Sequence, residues 1–284
     1  MSAEDEKRGR EEVTSMAKMP HIQLDETINT TGAILPGDPA RVDAVAKYLE
    51  DVRQEAFSRE YKSVTGVYKG RRILAISTGM GGPSTAICVE ELSDLGVRDM
   101  IRIGSCGALQ SGLSLGELVL CERAVCDDGT SQTYLNYIRY ASPGSGLGME
   151  AAGSPAWRKN EENICWAAAN QDLLKACRSA ADRLGFPYAV GSTRCHDALY
   201  LKEKPVLDEF YSAKGVSASD METAALFAVG ACRGVRTASI LNVVVEWKKD
   251  LKEGISSYKD GEDAAARGER SEIITALEAL AAVR

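Results

Sequence analysis

Two glycine-containing stretches, each following an apolar run, constrain the fold of this chain most strongly. The first covers residues 35–41 and reads Leu-Pro-Gly-Asp-Pro-Ala-Arg. Gly37 allows the backbone N–H groups to approach a ligand closely, Asp38 can brace the turn, and Arg41 opens a helical run. A strand that passes through such a turn into a helix is typical of a phosphate-sized anion site.

The second stretch covers residues 102–108 and reads Arg-Ile-Gly-Ser-Cys-Gly-Ala. Apolar residues around it predict a strand that delivers Arg102 and Ser105 to its carboxyl end. Open α/β sheets usually bind their ligands at that edge. A guanidinium and a hydroxyl placed there could complete the same anion site.

Strand-like and helix-like runs alternate along the chain, as they do in α/β proteins. The pattern predicts strands at 31–35, 72–78, 99–103, 118–125, 188–192 and 238–245, and helices at 42–49, 84–95, 173–184, 222–232 and 271–283. A stretch rich in Gly, Ser and Pro at 142–155 predicts a long loop. Residues 1–18 are charged and aperiodic, which predicts a disordered tail before a single domain at 19–284.

Composition narrows the function class. The 284 residues are 44% hydrophobic, enough for a sizeable core, and carry a net charge of −7, which disfavours a nucleic-acid partner. We find no apolar run near the ~20 residues that a membrane helix needs, and no signal peptide. The eight cysteines lack C-x-x-C spacing and are expected to be reduced. These features favour a cytoplasmic enzyme acting on small molecules, without a membrane partner.

Four motifs occur in a fixed order: Gly-Asp-Pro-x-Arg from 37, Ser-Thr-Gly-Met-Gly-Gly-Pro-Ser at 77–84, Arg-Ile-Gly-Ser-Cys-Gly at 102–107 and Asp-Met-Glu-Thr-Ala at 220–224. From His21 to the C-terminus the chain thereby resembles nucleoside phosphorylases of the uridine phosphorylase type. The resemblance implies one α/β domain with a mixed, twisted central sheet flanked by helices. It further implies a homo-oligomer, either a dimer or an assembly of dimers, that uses phosphate as co-substrate and no catalytic cofactor.

The resemblance assigns the phosphate site to four residues of one subunit and one of its neighbour. Gly37, Arg41, Arg102 and Ser105 match the family's phosphate-binding positions, while Arg59 matches an arginine that reaches the phosphate of the adjacent subunit. Charge-assisted hydrogen bonds from guanidiniums suit a phosphate dianion and can hold it in line with the sugar C1′. Arg41 and Arg102 are therefore also expected to be catalytic.

The ribose site implied by the resemblance centres on Glu222. Its two carboxylate oxygens can accept hydrogen bonds from both sugar hydroxyls, and its charge favours an oxocarbenium-like transition state. Met221 is expected to pack beneath the sugar ring, and His21 matches a histidine that crosses the dimer interface to the 5′-hydroxyl. Asp220 stands where the family usually has glutamate.

The base site departs from the family pattern. Uridine phosphorylases read uracil with a glutamine and an arginine downstream of an Asp-x-x-Tyr segment. Here Asp197 and Tyr200 are present, but Glu203 stands near the glutamine position and Pro205 near the arginine position. Gly107 and Glu203 are the candidate base-binding residues, together with Glu246, which follows the last predicted strand.

Three readings of the function therefore stay open. Uridine or deoxyuridine is the favoured nucleoside. A purine nucleoside phosphorylase is the first alternative, because Glu246 lies near the position of an aspartate that protonates N7 of the purine in relatives, and Trp247 could stack on the base. A non-catalytic nucleoside-binding or storage protein is the second. Hydrolytic relatives normally lack the Gly-Asp-Pro-x-Arg turn, so phosphate is the expected nucleophile.

A structural cation is a further expectation from the resemblance. Glu60, Ser84 and the backbone carbonyl of Met80 match positions that hold a cation across the dimer axis in some relatives. Oxygen ligands of this kind suit K⁺, Na⁺ or Ca²⁺. A simple hydrogen-bonded interface is the alternative. A catalytic metal is not expected, because the two histidines are far apart in the sequence.

Overall fold

The computed structural model describes residues 17–141, 157–159, 164–250, 252, 254 and 263–283. The expected disordered tail lies almost entirely outside the described residues, and so does the expected loop at 142–155. Among the helices of the described ranges, none has both the length and the apolar character needed to cross a bilayer.

The described residues form eleven strands and seven α-helices, with a short 3₁₀ helix at Glu26–Ile28. The strands are β1 (Gly32–Pro36), β2 (Glu50–Ser58), β3 (Tyr61–Tyr68), β4 (Arg71–Ile76), β5 (Asp99–Ala108), β6 (Leu118–Asp127), β7 (Trp157–Lys159), β8 (Cys165–Ala168), β9 (Tyr188–His196), β10 (Ala218–Asp220) and β11 (Arg236–Val245). The helices are α1 (Pro39–Ala46), α2 (Gly82–Asp94), α3 (Gly129–Ala141), α4 (Gln171–Leu184), α5 (Lys204–Ala213), α6 (Thr223–Arg233) and α7 (Asp263–Ala282).

All eleven strands belong to one mixed sheet. Its order is β2-β3-β4-β1-β5-β10-β9-β6-β8-β7, and β11 pairs with both β5 and β6. The pairings of β1 with β4 and β5, of β5 with β11, and of β9 with β6 and β10 are parallel. Because β11 joins β5 to β6, the strands β5, β10, β9, β6 and β11 close into a ring. The predicted single-domain α/β fold with a mixed sheet is confirmed.

Local sequence explains how α1 begins at the carboxyl edge of the sheet. Asp38 accepts a hydrogen bond from the N–H of Ala40 at 2.8 Å and so caps α1, and Pro39 occupies its first turn. The C-terminal helix α7 packs on β1, β5 and β11. This docking places the buried face of α7 behind the strands that carry both glycine motifs.

Several elements differ from the sequence-based expectation. Neither β2 nor β3 is predicted; β2 is exposed along most of its length and shows no apolar alternation. No helix is predicted around Lys204, whereas the structure has α5 there, with Pro205 in its first turn, a position that proline tolerates well. α7 begins at Asp263, eight residues before the predicted start, because its first turns carry little apolar periodicity.

Candidate active site

Parallel pairing brings the two glycine motifs to the same edge of the sheet. β1 lies beside β5 with Leu35 opposite Arg102 and Pro36 opposite Ile103. The turn that follows β1 at Gly37 is packed closely: a Cβ on Gly37 would lie 3.3 Å from the carbonyl oxygen of Gly79 and 3.9 Å from Nη1 of Arg102. The Gly37 turn and the Arg102 guanidinium are therefore direct neighbours.

Arg102 is almost fully buried and joins two parts of the site. Its Nε donates to Oδ2 of Asp220 at 3.2 Å, and its Nη2 donates to Oε2 of Glu222 at 2.6 Å. Its Nη1 is buried and has no hydrogen-bond partner among the described residues. Leaving such a donor unpaired costs free energy. An anion held at the Gly37 turn would supply the acceptor, so the residues present fit a bound phosphate.

Glu222 connects the motif at 77–84 with Arg102. Its Oε1 accepts a hydrogen bond from the backbone N–H of Gly81 at 2.6 Å, while Oε2 accepts from Arg102. Burial raises the pKa of Glu222 above its usual value. The Arg102 guanidinium therefore lies between the Glu222 carboxylate and the Gly37 turn.

Asp220 anchors the Arg102 guanidinium from the other side. Its carboxylate is fully buried and accepts hydrogen bonds from Thr223 Oγ1 at 2.7 Å, Thr193 Oγ1 at 3.1 Å and Cys195 Sγ at 2.8 Å. Burial alone would raise the pKa of Asp220, but the charge of Arg102 and the donated hydrogen bonds hold that pKa below its usual value. The aspartate side chain is thus long enough to reach Arg102.

Arg41 projects from the first turns of α1 and is buried. Its Nε lies 3.1 Å from Oε2 of Glu269, and its Nη1 lies 3.2 Å from Oε1 of Glu272. Both glutamates come from α7, and Glu272 is completely buried. Sequence reasoning missed Glu272, because it lies 231 residues from Arg41 and no motif marks it.

The remaining predicted phosphate and ribose residues occupy different environments. Ser105 is half-buried on β5 opposite Asn242, and Met221 is half-buried beside Glu222. Arg59 is exposed at the β2–β3 turn with a φ of 57°. Nδ1 of His21 lies 2.6 Å from Oε1 of Glu91. The structure describes one chain, so the proposed roles of Arg59 and His21 in a neighbouring subunit stay predictions.

A cavity of about 590 Å³ opens beside the ends of β5, β10 and β11. Two of the three predicted base-binding residues, Gly107 and Glu246, line it. The structure does not bring Glu203 into the lining: it precedes α5 and is exposed, while its neighbours Lys202 and Lys204 line the cavity. The start of a helix at Lys204 explains this placement, since consecutive residues of a helical turn face different directions.

Sequence reasoning also missed a buried pair at this cavity. Ser219 lines the cavity, and its Oγ lies 3.1 Å from Nε2 of His196. Burial and the charge of Arg194 lower the pKa of His196 to about 4, so the imidazole is neutral at physiological pH. The pair therefore carries no charge, and Ser219 is its member that lines the cavity. A histidine and a serine in two separate strands give no detectable signal in the sequence.

Two of the three expected cation ligands, Glu60 and Ser84, lie close together. The Ser84 hydroxyl is 2.5 Å from Oε1 of Glu60 and 3.0 Å from the hydroxyl of Tyr61. This hydrogen bond lowers the pKa of Glu60 and favours its charged form. Met80 is 87% exposed. The arrangement agrees both with a cation site and with the alternative, a simple hydrogen-bonded interface. The cation itself stays a prediction.

Comparison with known proteins assigns the family. A family model for the phosphorylase superfamily matches residues 31–277. The chain is 35% identical over 228 residues to guanosine phosphorylase of Halorubrum lacusprofundi, covering 80% of this chain and 83% of that protein. It is 31% identical over 282 residues to uridine phosphorylase of Haemophilus influenzae, covering 93% and 99%.

The fold agrees with this assignment. The structure of uridine phosphorylase from Vibrio fischeri ES114 aligns with a TM-score of 0.77 and 38% identity, covering 94% of this chain and 99% of that one. The similar proteins thus include enzymes named for both guanosine and uridine, at comparable identity. The chain belongs to the phosphorylase superfamily, and within it to the nucleoside phosphorylases.

Proposed function

We propose that this chain is a uridine phosphorylase, which uses phosphate to cleave uridine into uracil and ribose 1-phosphate. The observation that carries the phosphorolysis is the double engagement of Arg102. One terminal nitrogen, Nη2, holds Glu222, and the other, Nη1, lies beside the Gly37 turn with no hydrogen-bond partner in the part of the chain that the structure describes. A single guanidinium thereby positions the attacking phosphate against the carboxylate that holds the sugar.

The proposed reaction needs positioning and electrostatics, with no covalent enzyme intermediate. Phosphate binds between the Gly37 turn, Arg41 and Arg102, with Ser105 as a further hydrogen-bond donor. A phosphate oxygen bonds to C1′ as the bond from C1′ to N1 of uracil breaks, and the electron pair leaves with the base. Positive charge develops on the sugar, and the buried carboxylate of Glu222 stabilises it.

The cavity beside Gly107 and Ser219 is the proposed base site. Its volume of about 590 Å³ lies in the usual range for small-molecule pockets. Similarity to uridine phosphorylases over nearly the full chain supports uracil as the base. One observation favours a purine instead: Glu246 lines the cavity together with Trp247 and could protonate a leaving purine. A purine nucleoside phosphorylase is therefore the second candidate.

Base preference is tested by a nucleoside panel with phosphate, measuring release of free base. Uridine is expected to have a kcat/KM at least ~10²-fold above those of inosine and adenosine, because two polar groups left unpaired by the wrong base cost about 1 to 3 kcal/mol each. Glu246→Gln is expected to change uridine cleavage little. Glu122→Gln, on the exposed part of β6, is the matched control.

The purine candidate makes the opposite prediction. Inosine would be cleaved faster than uridine, and that activity would collapse in Glu246→Gln but persist in Glu122→Gln, because Glu246 lines the cavity whereas Glu122 does not. That combination of results would replace uridine with a purine nucleoside as the proposed substrate.

We also propose that the active unit is a homodimer or an assembly of dimers. Phe57 is 67% exposed and Met80 is 87% exposed, and both lie close in sequence to the Glu60–Ser84 cluster. Large exposed apolar side chains of this kind suit a subunit interface. The arrangement would let Arg59 and His21 act in the neighbouring subunit, with a K⁺, Na⁺ or Ca²⁺ ion at Glu60 and Ser84 as a further expectation.

A further inference from the structure

The phosphate site contains more negative than positive charge. Two guanidiniums of the described chain, Arg41 and Arg102, face the carboxylates of Asp220, Glu222, Glu269 and Glu272, so negative charge stays in excess even when the expected Arg59 of an adjacent subunit is counted. Phosphate would add a dianion to this buried cluster. Because like charges at low dielectric repel strongly, one carboxylate has to lose its charge when phosphate binds.

Glu272 is the carboxylate whose surroundings suit that role best. It is completely buried on α7, where Oε1 lies 3.2 Å from Arg41 Nη1 and Oε2 accepts a hydrogen bond from the N–H of Gly104 at 3.1 Å. Its two contacts therefore reach both glycine motifs of the phosphate site. The other ionisable groups around it are Glu269 on its own helix and Arg102 and Cys106 on β5.

The other carboxylates of the cluster are less suited. Asp220 accepts several hydrogen bonds in addition to the contact with Arg102, and these keep it ionised. Glu222 holds the Arg102 guanidinium at 2.6 Å, and catalysis needs its charge. Glu269 is partly exposed, so it contributes less to the buried charge of the cluster.

We propose that Glu272 couples phosphate binding to a proton: the phosphate dianion binds the form in which Glu272 is protonated, so a Glu272 that is ionised and holds Arg41 takes one proton from solvent as phosphate binds. Protonation frees the charge of Arg41 for the phosphate, so Glu272 is a positioning residue that acts through Arg41. The inference rests on the proposed phosphorolysis. Burial raises the pKa of Glu272 to about 8, which makes the proton exchange accessible near neutral pH.

The sign of the pH dependence follows from this coupling. Below about pH 8 Glu272 is already protonated, and phosphate binds without penalty. Above that value Glu272 must first regain its proton, so phosphate affinity falls by up to about tenfold per pH unit. Folding stability changes in the same direction: the folded protein holds a proton that the unfolded chain releases near pH 4.5, so the free energy of unfolding decreases as the pH rises toward 8.

Calorimetric titration of the full chain with inorganic phosphate, in buffers of different ionisation enthalpy, tests the coupling. At about pH 8.5 phosphate is a dianion, and the wild type is expected to take up most of one proton per phosphate bound. Glu272→Gln keeps the size and polar contacts but cannot ionise. It is expected to take up almost no proton and to bind phosphate about tenfold more tightly than the wild type at pH 9.

Glu269→Gln is the matched control, since it alters the partly exposed partner of the same arginine. It is expected to retain the wild-type proton uptake. Equal uptake in the wild type and Glu272→Gln would overturn the inference while leaving phosphorolysis intact. Loss of phosphate binding in Glu272→Gln would also overturn it, by showing that the charge is required. A wild type that binds no phosphate at any pH would overturn both this inference and the proposed function.

Discussion

Arg102→Ala is expected to lower kcat/KM for uridine phosphorolysis by ~10²-fold or more, as removal of one preorganised electrostatic group does. The side chain is expected to contact phosphate through Nη1 and holds Glu222 through Nη2, so its loss affects both substrates. It also leaves the buried carboxylates of Asp220 and Glu222 without their cation. Breaking a buried pair in this way costs about 3 to 5 kcal/mol of unfolding free energy.

Two further variants separate catalysis from folding. Arg102→Lys keeps the charge but loses the fork that reaches both carboxylates, so it is expected to fold and still to be impaired in kcat/KM. Arg98→Ala is the control: Arg98 is exposed just before β5, at the opposite end of that strand from the site. Turnover near wild type in folded Arg102→Ala at saturating phosphate would remove Arg102 from the mechanism.

Glu222→Gln is expected to lower kcat for uridine by about 10²-fold while phosphate binding persists. The neutral amide can still contact the sugar hydroxyls but does not stabilise the positive charge that develops on the ribose. Phosphate affinity is expected to stay the same or to increase, because Arg102 loses a competing carboxylate at 2.6 Å. Steady-state kinetics and phosphate titration on the same preparation measure both quantities.

A different outcome would reassign Glu222. If Glu222→Gln lost phosphate binding but retained its turnover rate at saturating phosphate, the residue would belong to the phosphate site rather than to the sugar site. Met221→Leu is a matched neighbouring change, since it keeps an apolar side chain at the half-buried position beside Glu222. It is expected to alter kcat much less than Glu222→Gln does.

Local sequence was enough to predict the edge of the sheet on which the site is built. The glycine turn, the capping aspartate and the apolar strand before Arg102 each carry a local signal, and the structure places Gly37 beside Arg102. The turns that follow two neighbouring parallel strands lie at the same edge of the sheet, so the closeness of Gly37 and Arg102 followed from the topology.

Long-range partners could not be predicted in the same way. Glu272 accepts a hydrogen bond from Gly104, which lies 168 residues away in the sequence. The burial of Glu272 depends on how α7 docks against the sheet. The three-residue strand β10 is too short to show any periodicity, yet it places Ser219 at the cavity next to His196. Hydrophobic periodicity reports which face of an element is buried, and it carries no information about which polar groups meet there.

The most direct test of the proposed phosphorolysis is whether uridine cleavage depends on phosphate. Purified protein is incubated with uridine, with and without phosphate, and uracil and the sugar product are both quantified. We expect uracil release only when phosphate is present, with one ribose 1-phosphate formed per uracil. Equal release of uracil without phosphate, with free ribose as the sugar product, would show that the enzyme is a hydrolase and would contradict phosphorolysis. Failure to release base from any nucleoside tested would contradict the proposed activity altogether.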